Sequence, residues 1–361
     1  MKVCDVDNRK LQKRFLLFRK ELYNSRKLYI DNNYFMLKEI FGGKLKFTED
    51  LEIKPVMITD ESGGILCEGV IAYTDDLKEY VQLCFFEAKK GCKEAVKMLV
   101  DEAVKVGKEH GCKKLVIGLY GHVNYGLGLQ SSHYDESNSF SSPGNPSFYN
   151  DYLSDLGCEL IKLNSYITYD LQNRLDRYRA IIDKFDRQYE FRVFDKKRFD
   201  YYSKIYTDLN NECFADHRYY YHRNYEHDKE MLKELFLFMK EDSIIFAFHE
   251  DEPVGFIMWY PDYNELANPG EIFGVIHYLR YKLNTRSIRT AKVMEYGVLK
   301  EYRGSGLPMA LINKVYERMP DYGCTRVETS WILDENEDSN SFCRAICEKN
   351  YKDYAVYEKS I

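Results

Sequence analysis

The chain has 361 residues, 45% of them hydrophobic and 30% charged, with a formal net charge of −6. This composition excludes a disordered or low-complexity chain, and the length exceeds what one core usually organises, so two domains are expected. The acidic balance speaks against a nucleic-acid partner, and with neither a run of about 18 apolar residues nor a signal-like apolar core, a cytoplasmic protein without a membrane partner is expected.

Ten cysteines are scattered without a C-x-x-C, and Cys343 with Cys347 is the sole pair at helical spacing. Reduced, buried thiols are the expectation. His217 with His222 or His227 is too loosely spaced for zinc, and no metal is expected.

From the N-terminus, helical segments lead to "GGILCEGVIAYTDDLKEYVQLCFFE", strands introduced by a turn signal. "EAVKMLVDEAVKVGKEHGCKKLVIGLY" reads as helix, Gly-Cys, strand. The Gly- and Ser-rich "GHVNYGLGLQSSHYDESNSFSSPG" reads as a surface loop. A short helix, a turn and a Tyr-rich strand come next in "NPSFYNDYLSDLGCELIKLNSYITYDL". The charged helical stretch "LQNRLDRYRAIIDKFDRQ" then joins a second copy of the same order. In that copy "GLPMALINKVYERMPDYGCTRVETSWI" aligns with the first helix and strand, setting Gly323-Cys324 over Gly111-Cys112 and Leu311 over Leu99. The division is expected at 1–176 and 177–361.

The most informative stretch is "VMEYGVLKEYRGSGLPMALINKVYERM". A strand ends in an Arg-Gly-Ser-Gly turn that opens a helix. Helix N-termini leave backbone N–H groups unsatisfied, and Gly304 and Gly306 bring no side chains. An anion such as pyrophosphate could rest on the backbone there, with Arg303 beside it. The dinucleotide G-x-G-x-x-G and the P-loop patterns are not met.

This turn and the order of elements around it resemble the GNAT (Gcn5-related N-acetyltransferase) superfamily, in particular a bacterial branch in which a degenerate half precedes an active one. The resemblance implies a mixed α/β (α+β) sheet in two tandem GNAT folds, 1–176 degenerate and 177–361 catalytic. It implies acetyl-CoA or another acyl-CoA as co-substrate, held by Val298, Leu299, Arg303, Gly304, Ser305, Gly306 and Leu307. Pro308 stands where the family has Gly or Ala, which a helix's first turn accepts at the loss of one N–H. Asn336 and Asn340 match the family asparagine that contacts the pantetheine arm, with a helix cap as the competing reading. In the first copy Gly306 is replaced by Glu94, whose bulk and charge oppose a phosphate, so that half is expected not to bind CoA.

Acyl transfer to an amine asks for a base, a polarised carbonyl and a proton for the thiolate. Glu295 and Glu328 are the candidate bases, each also readable as an ordinary strand glutamate. The family's tyrosine slot holds Ile346, so Tyr354, with Tyr351 or Tyr357, is the candidate acid, or water serves. Phe214, His217, Tyr220 and His222 could line an acceptor site, and Arg280, Arg286 and Arg289 could meet an acidic acceptor or the adenosine phosphate, although structural roles are simpler for both sets. The expected partners are an acyl-CoA and a small-molecule or peptide amine, with homo-oligomer formation left open. Two alternatives stand beside the N-acetyltransferase reading: a tandem enzyme that transfers an aminoacyl or long acyl group, and a non-catalytic acyl-CoA sensor or assembly module. A relic binding no cofactor is the bland third.

Overall fold

Local chemistry sets the boundaries of the elements. The computed structural model describes every residue except Lys27 and Thr285. In chain order it begins β1 (Lys2–Asp5), α1 (Arg9–Ser25), α2 (Tyr34–Phe41), β2 (Glu52–Thr59), β3 (Ile65–Tyr73) and β4 (Tyr80–Ala88). It continues α3 (Lys93–Glu109), β5 (Lys114–Ile117), β6 (Leu129–Gln130), α4 (Phe148–Asp155) and β7 (Glu159–Thr168). Next come α5 (Leu171–Asp176), α6 (Arg179–Gln188), β8 (Glu190–Val193), α7 (Phe199–Cys213), α8 (Tyr225–Leu235), β9 (Ile244–His249) and β10 (Glu252–Pro261). The chain closes with α9 (Val275–Leu283), β11 (Thr290–Val298), α10 (Leu307–Tyr322), β12 (Arg326–Thr329), β13 (Ile332–Leu333), α11 (Glu337–Ile346) and β14 (Lys349–Ser360). Asn8, Asp170, Asn224 and Asn336 cap α1, α5, α8 and α11 by accepting from backbone N–H groups of the first turn. Gly323, at φ 81°, stops α10 in the left-handed conformation that glycine adopts without strain.

These elements form two compact units. The first comprises Met1–Leu163, Ala267–Val275 and Lys352–Ile361, and the second Asn164–Leu266 and Ile276–Tyr351. Their composition departs from the 176/177 division read from the repeat, and strand pairing is the reason. In the first unit the sheet runs β1-β2-β3-β4-β5-β14, with β4 and β5 parallel and Tyr357 opposite Ile117 at its end. The second unit's sheet runs from residues 164–168 of β7 through β12, β11, β10 and β9 to β8, with β11 and β12 parallel and Ile167 opposite Glu328. Each sheet is thus completed by the strand that ends the other sequence half.

The cores follow the helical period. In the first unit α3 lays Val96, Leu99 and Ala103 against Val81, Leu83 and Leu115. In the second, α10 lays Leu311 and Val315 against Ile257, Trp259 and Val293, with Ile182 and Phe185 of α6 in the same cluster. Trp259 is fully buried and satisfies its indole N–H on the Asp242 carbonyl at 2.8 Å.

The segment 121–144, expected as a surface loop, is largely buried. Asn138 explains how: its amide accepts from Ile30 N–H at 2.9 Å and donates to the carbonyls of Ile30 and Ser142. Asn145, just beyond it, does the same for Gln130. Polar side chains supply the partners that a buried loop backbone would otherwise lack.

The first unit also holds two buried glutamates directly opposite one another, Glu68 on β3 and Glu87 on β4. Burial works to raise Glu87, but Arg26 at 2.7 Å and Arg19 at 3.1 Å more than offset it and hold its carboxyl below the usual range. Among the described residues none donates a hydrogen bond to Glu68, and burial pushes it well above the usual range. Glu68 therefore keeps its proton where an unfolded glutamate, near pKa 4.3, has lost it. A folded-state pKa raised in this way lowers stability as pH rises above about 4.3, by up to about 1.4 kcal/mol per pH unit. Glu68→Leu removes that dependence. Urea unfolding at about pH 5 and pH 8 is expected to show the variant gaining on wild type at the higher pH; a gap that stays constant with pH overturns the assignment.

Candidate active site

The second unit's centre is defined by two parallel strands that pair and then part. β11 and β12 run together from Thr290 opposite Arg326 to Val293 opposite Thr329, and Ser330 N–H closes the pairing on the Val293 carbonyl at 2.8 Å. β11 continues for five residues, held on its other side by β10. A bulge marks the point of departure: Met258 faces Glu295 and Trp259 faces Val293, so Met294 is the extra residue. Beyond it Leu299 N–H donates to the Val254 carbonyl at 3.0 Å. By antiparallel alternation the Val298 N–H points away from β10, toward the side that β12 has left.

The turn comes at once after the strand. Gly304 and Gly306 have φ of 69° and 95°, in the left-handed region that favours glycine. A Cβ on Gly304 would meet open space, whereas one on Gly306 would lie 2.7 Å from Ile181 of α6. Gly306 is thus required by packing as well as by the turn. Ser305 donates to the Tyr302 carbonyl at 2.5 Å and accepts from Leu307 N–H at 3.3 Å, while the Leu307 side chain is buried in the core. Among the described residues the N–H groups of Gly304, Ser305 and Gly306 donate to no protein acceptor. They fit an anion at the mouth of a sixteen-residue helix. Arg303 does not stand free beside them. Its Nε donates to the Val298 carbonyl at 3.3 Å and its Nη2 to the Cys213 carbonyl at 2.9 Å, tying the turn to β11 and to the end of α7. Gly297 allows that approach, since a Cβ there would stand 2.9 Å from the Cys213 sulfur.

Glu295 lies on the opposite face of β11 from α10, where α7 and α8 have set polar groups. Tyr206 donates its hydroxyl to Glu295 Oε1. Behind it, buried Arg223 donates from Nε to Asp228 Oδ1 at 2.7 Å, and Asn211 accepts from Arg223 N–H and from the Tyr220 hydroxyl. Burial raises the Glu295 pKa and Asp228 adds to the rise, against Tyr206, Arg223 and Asn210; the carboxyl is pushed up to about 7. A carboxyl so tuned exchanges protons at neutral pH. Tyr206, Asn210, Arg223 and Asp228 had no sequence signal of their own, since they converge on Glu295 only through the packing of two helices.

The remaining candidates are placed otherwise. Glu328 is buried and paired with Lys292, directly opposite on β11, at 3.2 Å. Asn336 caps α11 by accepting from Ser339 N–H at 3.1 Å. Asn340 is buried, donates to the carbonyls of Leu333 and Asn336, and accepts from the Tyr166 hydroxyl at 2.9 Å, so its amide knits α11 to its surroundings. Tyr354 belongs to the first unit, with its backbone paired to Gln130, and is not part of this constellation. His217 is held below the usual histidine range by burial and lies 2.7 Å from the Arg218 carbonyl through Nδ1; Tyr220 is in the network described; Phe214 is half-buried and His222 exposed. Arg289 adjoins the start of β11, a strand length of about 30 Å from the turn, and Arg280 and Arg286 precede it. All ten cysteines are free thiols. Among the described residues no group of three or more His, Cys, Asp or Glu is arranged to hold a metal, and no helix is long and apolar enough to cross a membrane.

The first unit repeats the plan with a different outcome. β4 also bulges, at Phe85 (φ 53°), and parts from β5 after Leu83. At the corresponding turn, however, the Gly91 N–H donates to the Tyr152 hydroxyl at 2.6 Å, and Glu94 occupies the first turn of α3.

Comparison with known proteins agrees with this geometry. Residues 200–347 match the acetyltransferase (GNAT) family model. A protein named bacterial ceramide synthase from Caulobacter vibrioides is 24% identical over 178 residues, 47% of this chain and 46% of that protein. Protein YghO of Escherichia coli K12 is 26% identical over 191 residues, 51% of this chain and 49% of that one. The chain spans about half the length of these curated relatives. Among solved structures, a tandem GNAT protein from the clavulanic acid biosynthesis pathway superposes with a TM-score of 0.56 at 10% identity, covering 99% of this chain and 98% of its own. A glucosamine N-acetyltransferase region of a fungal multi-domain β-N-acetylglucosaminidase gives 0.55 at 15% identity, covering 99% of this chain and 38% of that one. At such identities these superpositions speak to fold alone. The family match lies over the parted strands and the turn, so residues 200–347 carry a GNAT acetyltransferase family domain, and the chain has the fold of a tandem GNAT protein.

Proposed function

We propose that the second unit transfers an acyl group from an acyl-CoA to an amine, with Glu295 as general base. The observation that carries this reading is a half-buried carboxyl tuned to about 7, three residues along β11 from Val298, where the strand edge opens. The unpartnered N–H groups of Gly304, Ser305 and Gly306 would hold the pyrophosphate, and the Val298 N–H would polarise the thioester carbonyl. Glu295 takes a proton from the amine, directly or through water, as the C–N bond forms and the C–S bond breaks. The proton then returns from Glu295 or from water to the thiolate, whose pKa resembles that of an ordinary thiol, about 8.5. No tyrosine acid is required, which accommodates Ile346 in the family's tyrosine slot. Acetyl-CoA is the first donor to test. The relative named ceramide synthase favours a second version, in which a long acyl chain passes to a lipid amine such as a sphingoid base.

Two experiments test the proposal. Calorimetric titration with acetyl-CoA and CoA should give binding to wild type and to Gly304→Asn, since asparagine tolerates a positive φ and fills open space. Gly304→Asp, of the same shape but charged, should weaken it by about tenfold or more through repulsion of the anion. Absence of wild-type binding, or equal binding by both variants, overturns the turn as the cofactor site.

The second experiment tracks thiol release with a panel of short- and long-chain amines. Glu295→Gln is expected to lower kcat about 10²- to 10⁴-fold with CoA affinity unchanged. Because the carboxylate is the active form, the wild-type rate should rise with pH through about 7 and then level. Tyr206→Phe removes a hydrogen bond that lowers this pKa and should move the rise to higher pH. A wild-type profile without the rise, or Glu295→Gln at full rate, removes Glu295 from the role.

A further inference from the structure

Helix α9 is built the wrong way round for a soluble surface. His277 and Tyr281 are buried, each 1% exposed, whereas Val275, Ile276, Leu279 and Leu283 are 71%, 53%, 50% and 88% exposed. At 100° per residue these four project from an arc of about 100°, with Lys282 at one margin and Arg280 at the other. An apolar stripe of that width ordinarily faces a core. Here it faces outward, and it is contiguous rather than scattered.

The stretch of chain that carries it has charge of one sign. Between Glu271 and Glu295 the sequence has no Asp or Glu but carries Arg280, Lys282, Arg286, Arg289 and Lys292, in a chain whose net charge is −6. Lys292 is spent on Glu328, and Arg280 donates to the Leu266 carbonyl at 2.7 Å. Lys282, Arg286 and Arg289 are exposed. The adjoining acids are engaged: Glu265 with the Arg289 and Thr290 N–H groups and with Arg326, and Glu271 with Asn268.

We propose that α9 is an interfacial helix that docks this protein on an anionic lipid surface, with the apolar stripe at the acyl boundary and Lys282, Arg286 and Arg289 among the headgroup phosphates. Apolar residues on one face with cations at the margins are what such a surface selects. A second copy of the chain fits less well, since a symmetric contact sets α9 against α9 and brings like charges together. The absence of a spanning segment, which gave the expectation of no membrane partner, does not bear on a helix that lies in the interface plane. This inference rests on the surface alone and not on the acyltransferase reading.

The test is co-sedimentation of the full chain with vesicles of phosphatidylcholine or of equal parts phosphatidylcholine and phosphatidylglycerol. Wild type is expected to partition into the anionic vesicles at least about tenfold more than into neutral ones and to be released by high salt. The double variant Leu279→Glu/Leu283→Glu changes exposed positions, so its circular dichroism and urea unfolding should match wild type while vesicle binding is lost. Lys282→Glu/Arg286→Glu should remove the preference for anionic lipid. The proposal is overturned if wild type ignores anionic vesicles or if the leucine variant binds them as well as wild type. It is also overturned if sedimentation equilibrium shows a dimer that the leucine variant abolishes while vesicle binding is absent, which would make the stripe a contact between copies.

Discussion

The arrangement in the second unit depends on the parting of β11 from β12. Two parallel strands that stayed paired would satisfy each other's backbone and leave nothing for a substrate. Here they share four pairs, and the bulge at Met294 redirects the strand that continues. The unpaired edge beyond it is costly for a buried strand unless something occupies it. Two residues hold that edge open: Gly297 admits the end of α7, and Arg303 binds the Val298 and Cys213 carbonyls, fixing the strand, the turn and α7 as one piece. Arg303 is better understood as the clasp of this junction than as a free cation awaiting a phosphate.

The second constraint is the dielectric setting of Glu295. Burial alone would make a glutamate a neutral passenger, and ion pairing alone would leave it a weak base, as Glu87 shows in the first unit. Glu295 sits between these limits because its near partner, Tyr206, is neutral, and because Arg223, the cation that acts on it, is already committed to Asp228. The contrast with Glu328 is instructive. Two residues of the same type lie on neighbouring strands, but Glu328 meets Lys292 at matched register and forms a closed pair, which is reason to assign the two different roles.

The sequence made the architecture readable wherever local chemistry decided it. The repeat, the strand–turn–helix run and the glycine turn depend on periodicity and on backbone freedom, and these are visible in one chain. Features that depend on partners distant in sequence were not readable. Asn138 and Asn145 turn a glycine-rich loop inward by supplying its backbone with partners. Asn340 reads as a ligand of the cofactor and in three dimensions is a hub between α11 and Tyr166. The tuning of Glu295 required α7 and α8 to converge. Sequence halves and compact units also differ because strand exchange is a matter of pairing, on which local patterns are silent.

That exchange bears on how two copies of one plan came to differ. Both copies keep the bulged strand, its parting from a parallel neighbour and the turn before a helix, so these belong to the fold itself. What separates them is what surrounds the turn. In the first unit the Tyr152 hydroxyl accepts from the Gly91 N–H and Glu94 places a negative charge in the first turn of α3, while in the second Gly304 faces open space and α10 opens without an acidic residue. Removing the first copy would nonetheless strip β12 of its outer neighbour, because that neighbour is residues 164–168. The last strand of the first copy is therefore indispensable to the second unit's sheet, whatever the first copy's own turn binds.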